Sequence, residues 1–181
     1  AHAVPLGGQA RHALLPAQAS DGLRLVLVDL AQAGVQRTEG TSQHHQGVAD
    51  LAFEAITLAA DNVLPVAATA WTEQRAIACL AAQQLGVTQE QLRRTVEYVS
   101  ERQQFGRAIG SFQLVAGQMA DGYIATEALR TSVWQLVYRL DAHLGAAPQA
   151  FATRTLANDT GHRTGHMAQH VHGGIGGGFH Q

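Results

Sequence analysis

Residues 102–113 have the sequence RQQFGRAIGSFQ, and they separate the two longest helical patterns of the chain. The stretch combines a permanent cation (Arg102), an aromatic ring (Phe105), a chain-reversing glycine (Gly106) and a carboxamide (Gln113) beside a helix start. Guanidinium groups and helix N-termini both favour anions, so this combination suits a ligand that carries phosphate and a ring. A plainer interpretation stays open at this point: a helix C-terminus with a favourable arginine and a capping glycine.

Apolar residues recur at helical spacing on both sides of this stretch. Before it, the pattern predicts a helix over residues 70–101, interrupted by Gly86, where we expect a neighbour to pack closely. After it, one stripe of residues keeps steps of three or four. Its members are Phe112, Val115, Met119, Tyr123, Thr126, Leu129, Val133, Leu136, Leu140 and Leu144. Ser111 is the expected N-cap of this second helix, and Gly145 with Pro148 is expected to end it.

A third helical pattern runs from Ala147 to His172 and ends in a glycine-rich run, with the sequence HVHGGIG over residues 170–176. Glycine lets main-chain N–H groups meet a ligand without a Cβ in the way. Gly173 and Gly174 are therefore candidate binding residues. A simple helix stop is the alternative, because a glycine run alone is a weak signal.

The first 65 residues carry strand patterns instead of helical ones. The clearest is Leu23–Asp29, which is rich in Leu and Val and follows a turn glycine. Shorter strands are expected at residues 12–15 and 35–38, with polar or turn-rich connectors after them. An apolar, half-alternating stretch predicts a further strand over residues 48–57.

The order of these patterns predicts an α+β fold. We expect a partial antiparallel β domain over residues 1–65, followed by a bundle of long helices over residues 66–181 that mediates oligomerisation. The chain has 181 residues, of which 46% are hydrophobic and 14% charged, enough apolar residues to bury a sizeable core.

Several classes of function are disfavoured by composition. The formal net charge is −2 and no basic block exceeds a pair, so we expect no nucleic-acid partner. The longest apolar run is too short to cross a membrane, and the first residues lack a signal-peptide pattern. The single cysteine, Cys79, cannot form an internal disulfide, which predicts a reduced cytoplasmic location.

Three histidines recur every four residues on the third helix: His162, His166 and His170. Two histidines at this spacing can chelate a metal ion. No carboxylate or cysteine completes a convincing ligand set, so a polar helix face is favoured and no metal site is predicted. Cys79 and Trp134 are expected to pack within the helical bundle.

The pattern Arg-x-x-Phe-Gly at residues 102–106, followed by Phe-Gln at 112–113, resembles the flavin-binding signature of the acyl-CoA dehydrogenases. The resemblance extends over residues 70–176. More loosely, residues 3–65 are similar to the second half of that family's middle β domain. The glycine segment is similar to the family's Gln-x-x-Gly-Gly-x-Gly, with His170 in place of the usual glutamine.

In that family, flavin adenine dinucleotide (FAD) lies across a subunit interface. The resemblance implies that Arg102 binds the pyrophosphate, that Gln104 and Phe105 line the cofactor, and that Gln113 hydrogen-bonds it. The glycine segment would reach the adenosine half of a flavin in the neighbouring subunit. The implied FAD-binding residues are Arg102, Gln104, Phe105, Gln113, His170, Gly173 and Gly174.

The family also needs a glutamate that removes the α-proton of an acyl thioester while hydride leaves the β-carbon for the flavin. One of its two positions lies on the helix before Arg-x-x-Phe-Gly, and Ala76 occupies that position here. Alanine cannot take a proton. Glu73 lies nearly one turn earlier, where a solvated or capping role is favoured. The other position lies beyond Gln181, so no catalytic residue is predicted in this chain.

The resemblance implies a subunit of an FAD-dependent acyl-CoA dehydrogenase, which α,β-desaturates an acyl-CoA thioester. Its glutamate would come from a partner subunit, as in the heteromeric enzymes of actinobacterial sterol side-chain degradation. An electron-transfer acceptor would be a further partner. Two alternatives stay open: a homotetramer whose base lies beyond the present C-terminus, and a non-enzymatic binding protein on the same fold. The net charge of −2 disfavours a DNA-binding form of the latter.

Overall fold

The computed structural model of the protein describes residues 1–43 and 45–175. Antiparallel strands are followed by long helices, which confirms the predicted α+β fold. The chain divides into two compact units, Ala1–Thr72 and Glu73–Gln181, and the dividing point falls inside the first long helix. The predicted domain boundary between residues 65 and 66 stays a prediction.

The first unit is built from short antiparallel sheets. Its strands are β1 (Val4–Pro5), β2 (His12–Ala19), β3 (Gly22–Asp29), β4 (Val35–Thr41) and β5 (Gly47–Phe53). One sheet has the order β1-β5-β4, and the other is the hairpin β2-β3. Apolar side chains from β3, from β5 and from the residue after β3 form the core: Val26, Val28, Leu30, Ala49 and Leu51.

Strand β2 is longer than predicted, because it includes Pro16, which the sequence pattern assigned to a connector. Pro16 lies opposite Leu25 in the ladder with β3. Within the described residues β2 pairs with β3 alone, and an edge strand tolerates a residue that has no N–H to donate. Strand β4 also extends beyond its predicted end to Thr41, whereas β5 stops at Phe53 instead of Thr57.

The second unit is helical. Its helices are α1 (Ala67–Glu101, which begins in the first unit), α2 (Gln113–Asp141) and α3 (Ala147–His172). Helix α3 has the bounds that the sequence predicts. None of the helices in the described residues is long and apolar enough to cross a membrane.

Helix α2 begins and ends differently from its prediction. Ser111 is not its N-cap: the Ser111 hydroxyl donates to the Ala108 carbonyl (2.7 Å), within a 3-10 turn that precedes the helix. Phe112 takes the N-cap position without a side-chain cap. At the other end α2 stops at Asp141, four residues before the predicted Gly145, whose carbonyl accepts a hydrogen bond from Arg139 Nε (2.7 Å).

The core of the helical unit is part apolar and part threonine. Leu129, Val133 and Leu136 of α2 are buried, as the spacing predicts, whereas Tyr123 of the same stripe is 60% exposed. Among the described residues, the polar side chains buried beside them all belong to threonines: Thr88, Thr95, Thr126, Thr153, Thr160 and Thr164. Threonine can fill such positions because its methyl group packs like that of valine. The hydroxyls of Thr95 and Thr126 donate to the carbonyls of Gln91 and Gly122 (2.8 and 2.7 Å).

Three packing predictions were wrong. A Cβ added at Gly86 would meet open space, whereas one at Gly161 would meet the Gln84 side chain. Helices α1 and α3 therefore approach each other at Gly161. Cys79 is exposed, and Trp134 is 67% exposed. An apolar residue in a helical pattern can lie on either of two apolar faces, and the pattern does not say which face the bundle buries.

Candidate functional site

The sequence between α1 and α2 folds into a small hairpin. Helix α1 ends at Glu101, and the Arg102 N–H still donates to the Tyr98 carbonyl (2.9 Å). Strands β6 (Gln103–Gln104) and β7 (Arg107–Ala108) then pair antiparallel. Gly106 is therefore not the C-cap of α1. The other part of the plainer interpretation is confirmed, since α1 ends at Glu101, directly before Arg102.

Phe105 and Gly106 form the two-residue turn of this hairpin. Their φ angles are +53° and +79°, and positive φ at both central residues is what a type I′ turn requires. Glycine adopts such angles freely, but phenylalanine adopts them only under strain. The Phe105 ring is 92% exposed. The turn thus holds an aromatic ring outward at a strained position, an arrangement that is more frequent at functional sites.

The hairpin is fixed to the start of α2. The Phe105 and Phe112 rings meet edge to face with centroids 6.2 Å apart. The Arg107 guanidinium carbon lies 4.1 Å from the centroid of the Phe112 ring, a cation–π contact. The Ile109 N–H donates to the Arg102 carbonyl (2.8 Å). These contacts hold the turn in one orientation relative to the bundle.

Helix α3 ends beside the same hairpin. Gly173 caps the helix at φ +63°, and its N–H donates to the carbonyls of Gln169 and His170. The His172 ring stacks on the Tyr98 ring of α1, with centroids 4.3 Å apart and an angle of 19° between the planes. The glycine run is therefore both a helix stop and a neighbour of the Arg102 segment.

An open groove of about 570 Å³ lies between these two segments. It is lined by six of the seven predicted binding residues, namely Arg102, Gln104, Phe105, His170, Gly173 and Gly174. Gln113 is not among its lining residues, although both of its sequence neighbours are. Gly176, the last glycine of the motif, lies outside the described residues.

Sequence reasoning missed Gln118, and it named the glycine segment that contains His172 without singling out this residue. His172 directly precedes the glycine pair, which was the one available signal. Arg102 is the only Asp, Glu, Lys or Arg residue among the described lining residues of the groove. A cation, an exposed ring and two glycines whose Cβ positions face open space form a donor set that fits an anionic, ring-containing ligand.

The predicted position of the catalytic base lies in a second pocket. Ala76 and Glu73 line a pocket of about 460 Å³ between α1 and α3, together with Arg154. Its walls are mostly apolar, with Ile77 and Leu80 among them. The methyl group of Ala76 offers no atom that accepts a proton.

His162, His166 and His170 follow one another at intervals of four residues along α3. No group of three or more His, Cys, Asp or Glu side chains suited to a metal ion occurs in the described part of the chain. The His162 and His166 rings lie edge to face with centroids 4.4 Å apart. The nearby carboxylate of Asp159 accepts a hydrogen bond from Arg163 Nε (2.8 Å) instead.

The basic pair of α1 is bonded to carboxylates on its own helix. Arg93 Nε and Arg94 Nε donate to the two carboxylate oxygens of Glu90 (2.8 and 2.7 Å). The hydrogen bond from Arg93, and to a smaller extent the one from Arg94, lowers the pKa of Glu90 from its ordinary value to about 2. Arg93 also reaches Glu97 (3.1 Å). These charges therefore form a surface network along one face of α1.

Comparison with known proteins identifies the helical part of the chain. Residues 64–178 match the family model for the acyl-CoA dehydrogenase C-terminal domain. Acyl-CoA dehydrogenase FadE27 of Mycobacterium tuberculosis is 32% identical over 176 residues, which cover 90% of this chain and 46% of that protein.

Two solved structures share the fold of nearly the whole chain. The Tcur3481–Tcur3483 steroid ACAD variant matches with a TM-score of 0.90 and 36% identity, covering 97% of this chain and 48% of that one. The ChsE4–ChsE5 complex of M. tuberculosis matches with a TM-score of 0.88 and 32% identity, over 96% and 48% of the two chains.

The chain spans about half the length of the relatives it matches. The match includes the Arg-x-x-Phe-Gly hairpin and the glycine segment, which carried the resemblance in the sequence. The acyl-CoA dehydrogenases are flavoproteins that use FAD. The chain belongs to the acyl-CoA dehydrogenase family.

Proposed function

We propose that this chain is a subunit of an FAD-dependent acyl-CoA dehydrogenase and that its groove binds part of the flavin cofactor. The observation that carries the proposal is the meeting of the Arg102 hairpin and the Gly173–Gly174 turn at one groove. The volume of about 570 Å³ falls within the usual range for pockets that bind small molecules and cofactors.

Each of the seven predicted binding residues has a role that its chemistry allows. Arg102 binds the pyrophosphate, since a guanidinium matches phosphate oxygens with paired N–H donors. Gln104 and the exposed ring of Phe105 line the cofactor, and Gln113, the first residue of α2, hydrogen-bonds it. The main chain at Gly173 and Gly174 approaches the adenosine half, with the His170 side chain as a hydrogen-bonding partner.

The proposed reaction is α,β-desaturation of an acyl-CoA thioester. FAD supplies the hydride acceptor when it is bound. Ala76 leaves this chain without a base at that family position, so a partner subunit provides the glutamate that removes the α-proton. Two of the similar structures bear the names of unlike chain pairs, Tcur3481–Tcur3483 and ChsE4–ChsE5, which supports a heteromeric assembly. An electron-transfer acceptor then collects the electrons.

Flavin occupancy tests this proposal. The chain is purified alone and also co-expressed with its candidate partner, and flavin absorbance is measured against protein concentration. We expect flavin in the complex, at about one per pair of unlike chains. Arg102→Ala is expected to weaken FAD binding by about 10- to 100-fold, because it removes charge-assisted hydrogen bonds.

Arg163→Ala is the matched control, since it removes an exposed arginine of α3 that bonds to Asp159 on the same helix. Full occupancy in the chain alone would instead support a homo-oligomer with its own base. Absence of flavin from both preparations would contradict the proposal and favour a non-enzymatic binding protein. If a glutamate substitution in the partner left activity intact while Glu73→Gln abolished it, the division of roles would be wrong.

A further inference from the structure

The groove is formed by two segments that are distant in the sequence but joined by a ring stack. Tyr98 lies one helical turn before Arg102, and its carbonyl accepts the Arg102 N–H (2.9 Å). His172 directly precedes Gly173. Their rings stack at a centroid distance of 4.3 Å, and both side chains are half-buried and line the groove. The stack therefore joins the arginine segment to the glycine segment.

The His172 ring is held at a second point. Its Nδ1 lies 2.8 Å from the Ala168 carbonyl, one turn earlier in α3. A carbonyl oxygen only accepts hydrogen bonds, so Nδ1 carries the proton and donates it. This bond ties the ring to its own helix, while the stack ties it to α1. These two contacts restrict rotation of the His172 ring. They also restrict the main chain where the glycine turn begins.

We propose that Tyr98 and His172 form a positioning pair for the dinucleotide site. The stack sets the distance between the guanidinium of Arg102 and the main chain at Gly173 and Gly174, so that the first can reach the diphosphate and the second the adenosine half of one FAD. Neither ring needs to contact the cofactor for this role. The inference rests on the proposed function, because it assigns the pair to binding of the same FAD.

A purely structural role makes different predictions. A stack that only stabilised the end of α3 would change the melting temperature and ligand affinity together. A second ring contact on α3 provides the comparison. His162 and His166 also meet, at 4.4 Å, but neither lines the groove. His166→Ala therefore removes a histidine contact from the same helix without touching the site.

The test measures binding of FAD and of ADP by titration calorimetry, with the co-purified complex stripped of flavin. ADP is included because it carries the adenosine and diphosphate without the flavin ring. We expect His172→Ala to weaken both ligands by about three- to tenfold, the range that loss of one aromatic pair produces. His172→Phe keeps a ring on Tyr98 and is expected to retain most of the affinity, whereas His166→Ala is expected to bind as the wild type.

Three outcomes would overturn the positioning pair. Wild-type affinity in His172→Ala would do so, provided that Arg102→Ala loses binding. Equal weakening in His166→Ala and His172→Ala, with equal falls in melting temperature, would show a structural role. Failure of His172→Phe to restore affinity would assign the effect to the imidazole itself. If the wild-type complex bound neither FAD nor ADP, that result would contradict the proposed function and, with it, the role of the positioning pair.

Discussion

Phe105 has the least favourable backbone of the candidate binding residues. A φ of +53° is strained for phenylalanine, while asparagine adopts such angles more readily. We expect Phe105→Asn to raise stability by about 1 kcal/mol, seen as a melting temperature higher by about 2–4 °C for a chain of this size. The same change removes the exposed ring and is expected to weaken FAD by about two- to tenfold.

Phe105→Leu separates the two effects, because leucine keeps the strain and loses the ring. We expect it to weaken FAD without raising the melting temperature. Calorimetric melting and FAD titration of the two variants, in the co-purified complex, give both quantities. A Phe105→Asn variant with unchanged melting temperature and unchanged FAD affinity would contradict both expectations. The turn would then carry no strain, and the Phe105 ring would not contribute to FAD binding.

Some elements follow from local signals in the sequence and others do not. The bounds of α3 were predictable because Pro148 favours the first turn of a helix and a glycine run ends one. The β6–β7 hairpin was not, because Gly106 fits a helix C-cap as well as a type I′ turn. Strand β2 was cut short for a similar reason: proline suggests a connector unless the strand lies at an edge.

The buried threonines of α3 differ in their hydrogen bonding, because the Thr153 hydroxyl contacts Ser132 Oγ (2.8 Å) while two others have no partner in the described part of the chain. The hydroxyls of Thr160 and Thr164 are buried and have no hydrogen-bond partner among the described residues. A buried hydroxyl without a partner carries an uncompensated desolvation cost. We therefore expect Thr160→Val, which keeps the shape of the side chain, to stabilise the protein by about 1 kcal/mol.

Thr126→Val is the control for this substitution. Thr126 is equally buried, but its hydroxyl donates to the Gly122 carbonyl (2.7 Å). We expect no gain in stability from Thr126→Val, because the substitution removes the hydrogen bond to the Gly122 carbonyl. Chemical denaturation of both variants measures the difference. A destabilised Thr160→Val would mean that the hydroxyl has a bound water or another partner.

The groove depends on contacts between distant segments that no local sequence pattern encodes. The Arg102 and Gly173 segments lie at opposite ends of two helices, α2 and α3, and local periodicity does not say where those helices bring them. The family resemblance assigned both segments to FAD binding, and six of the seven residues it implied line the groove. The contact between Tyr98 and His172 could not be predicted from the sequence, because a ring pair depends on how α1 and α3 pack.

The exposed apolar side chains of α2 bear on assembly. Ile124, Trp134 and Tyr138 are each more than 60% exposed, and at 100° per residue they fall on one side of the helix. Apolar surface of this kind marks protein–protein contacts. Under the proposed function we infer that the partner subunit covers it, since similar structures carry the names of paired chains.

We therefore expect Trp134→Glu to dissociate the co-purified complex, because a carboxylate would be buried at the interface without a partner charge. Trp134→Phe, which keeps an apolar ring, is expected to preserve it. Size-exclusion chromatography with light scattering gives the mass of each assembly, and flavin absorbance follows in the same run. Loss of mass together with loss of flavin would support a cofactor site that needs both subunits. A Trp134→Glu complex of unchanged mass would place the partner on another face of the bundle.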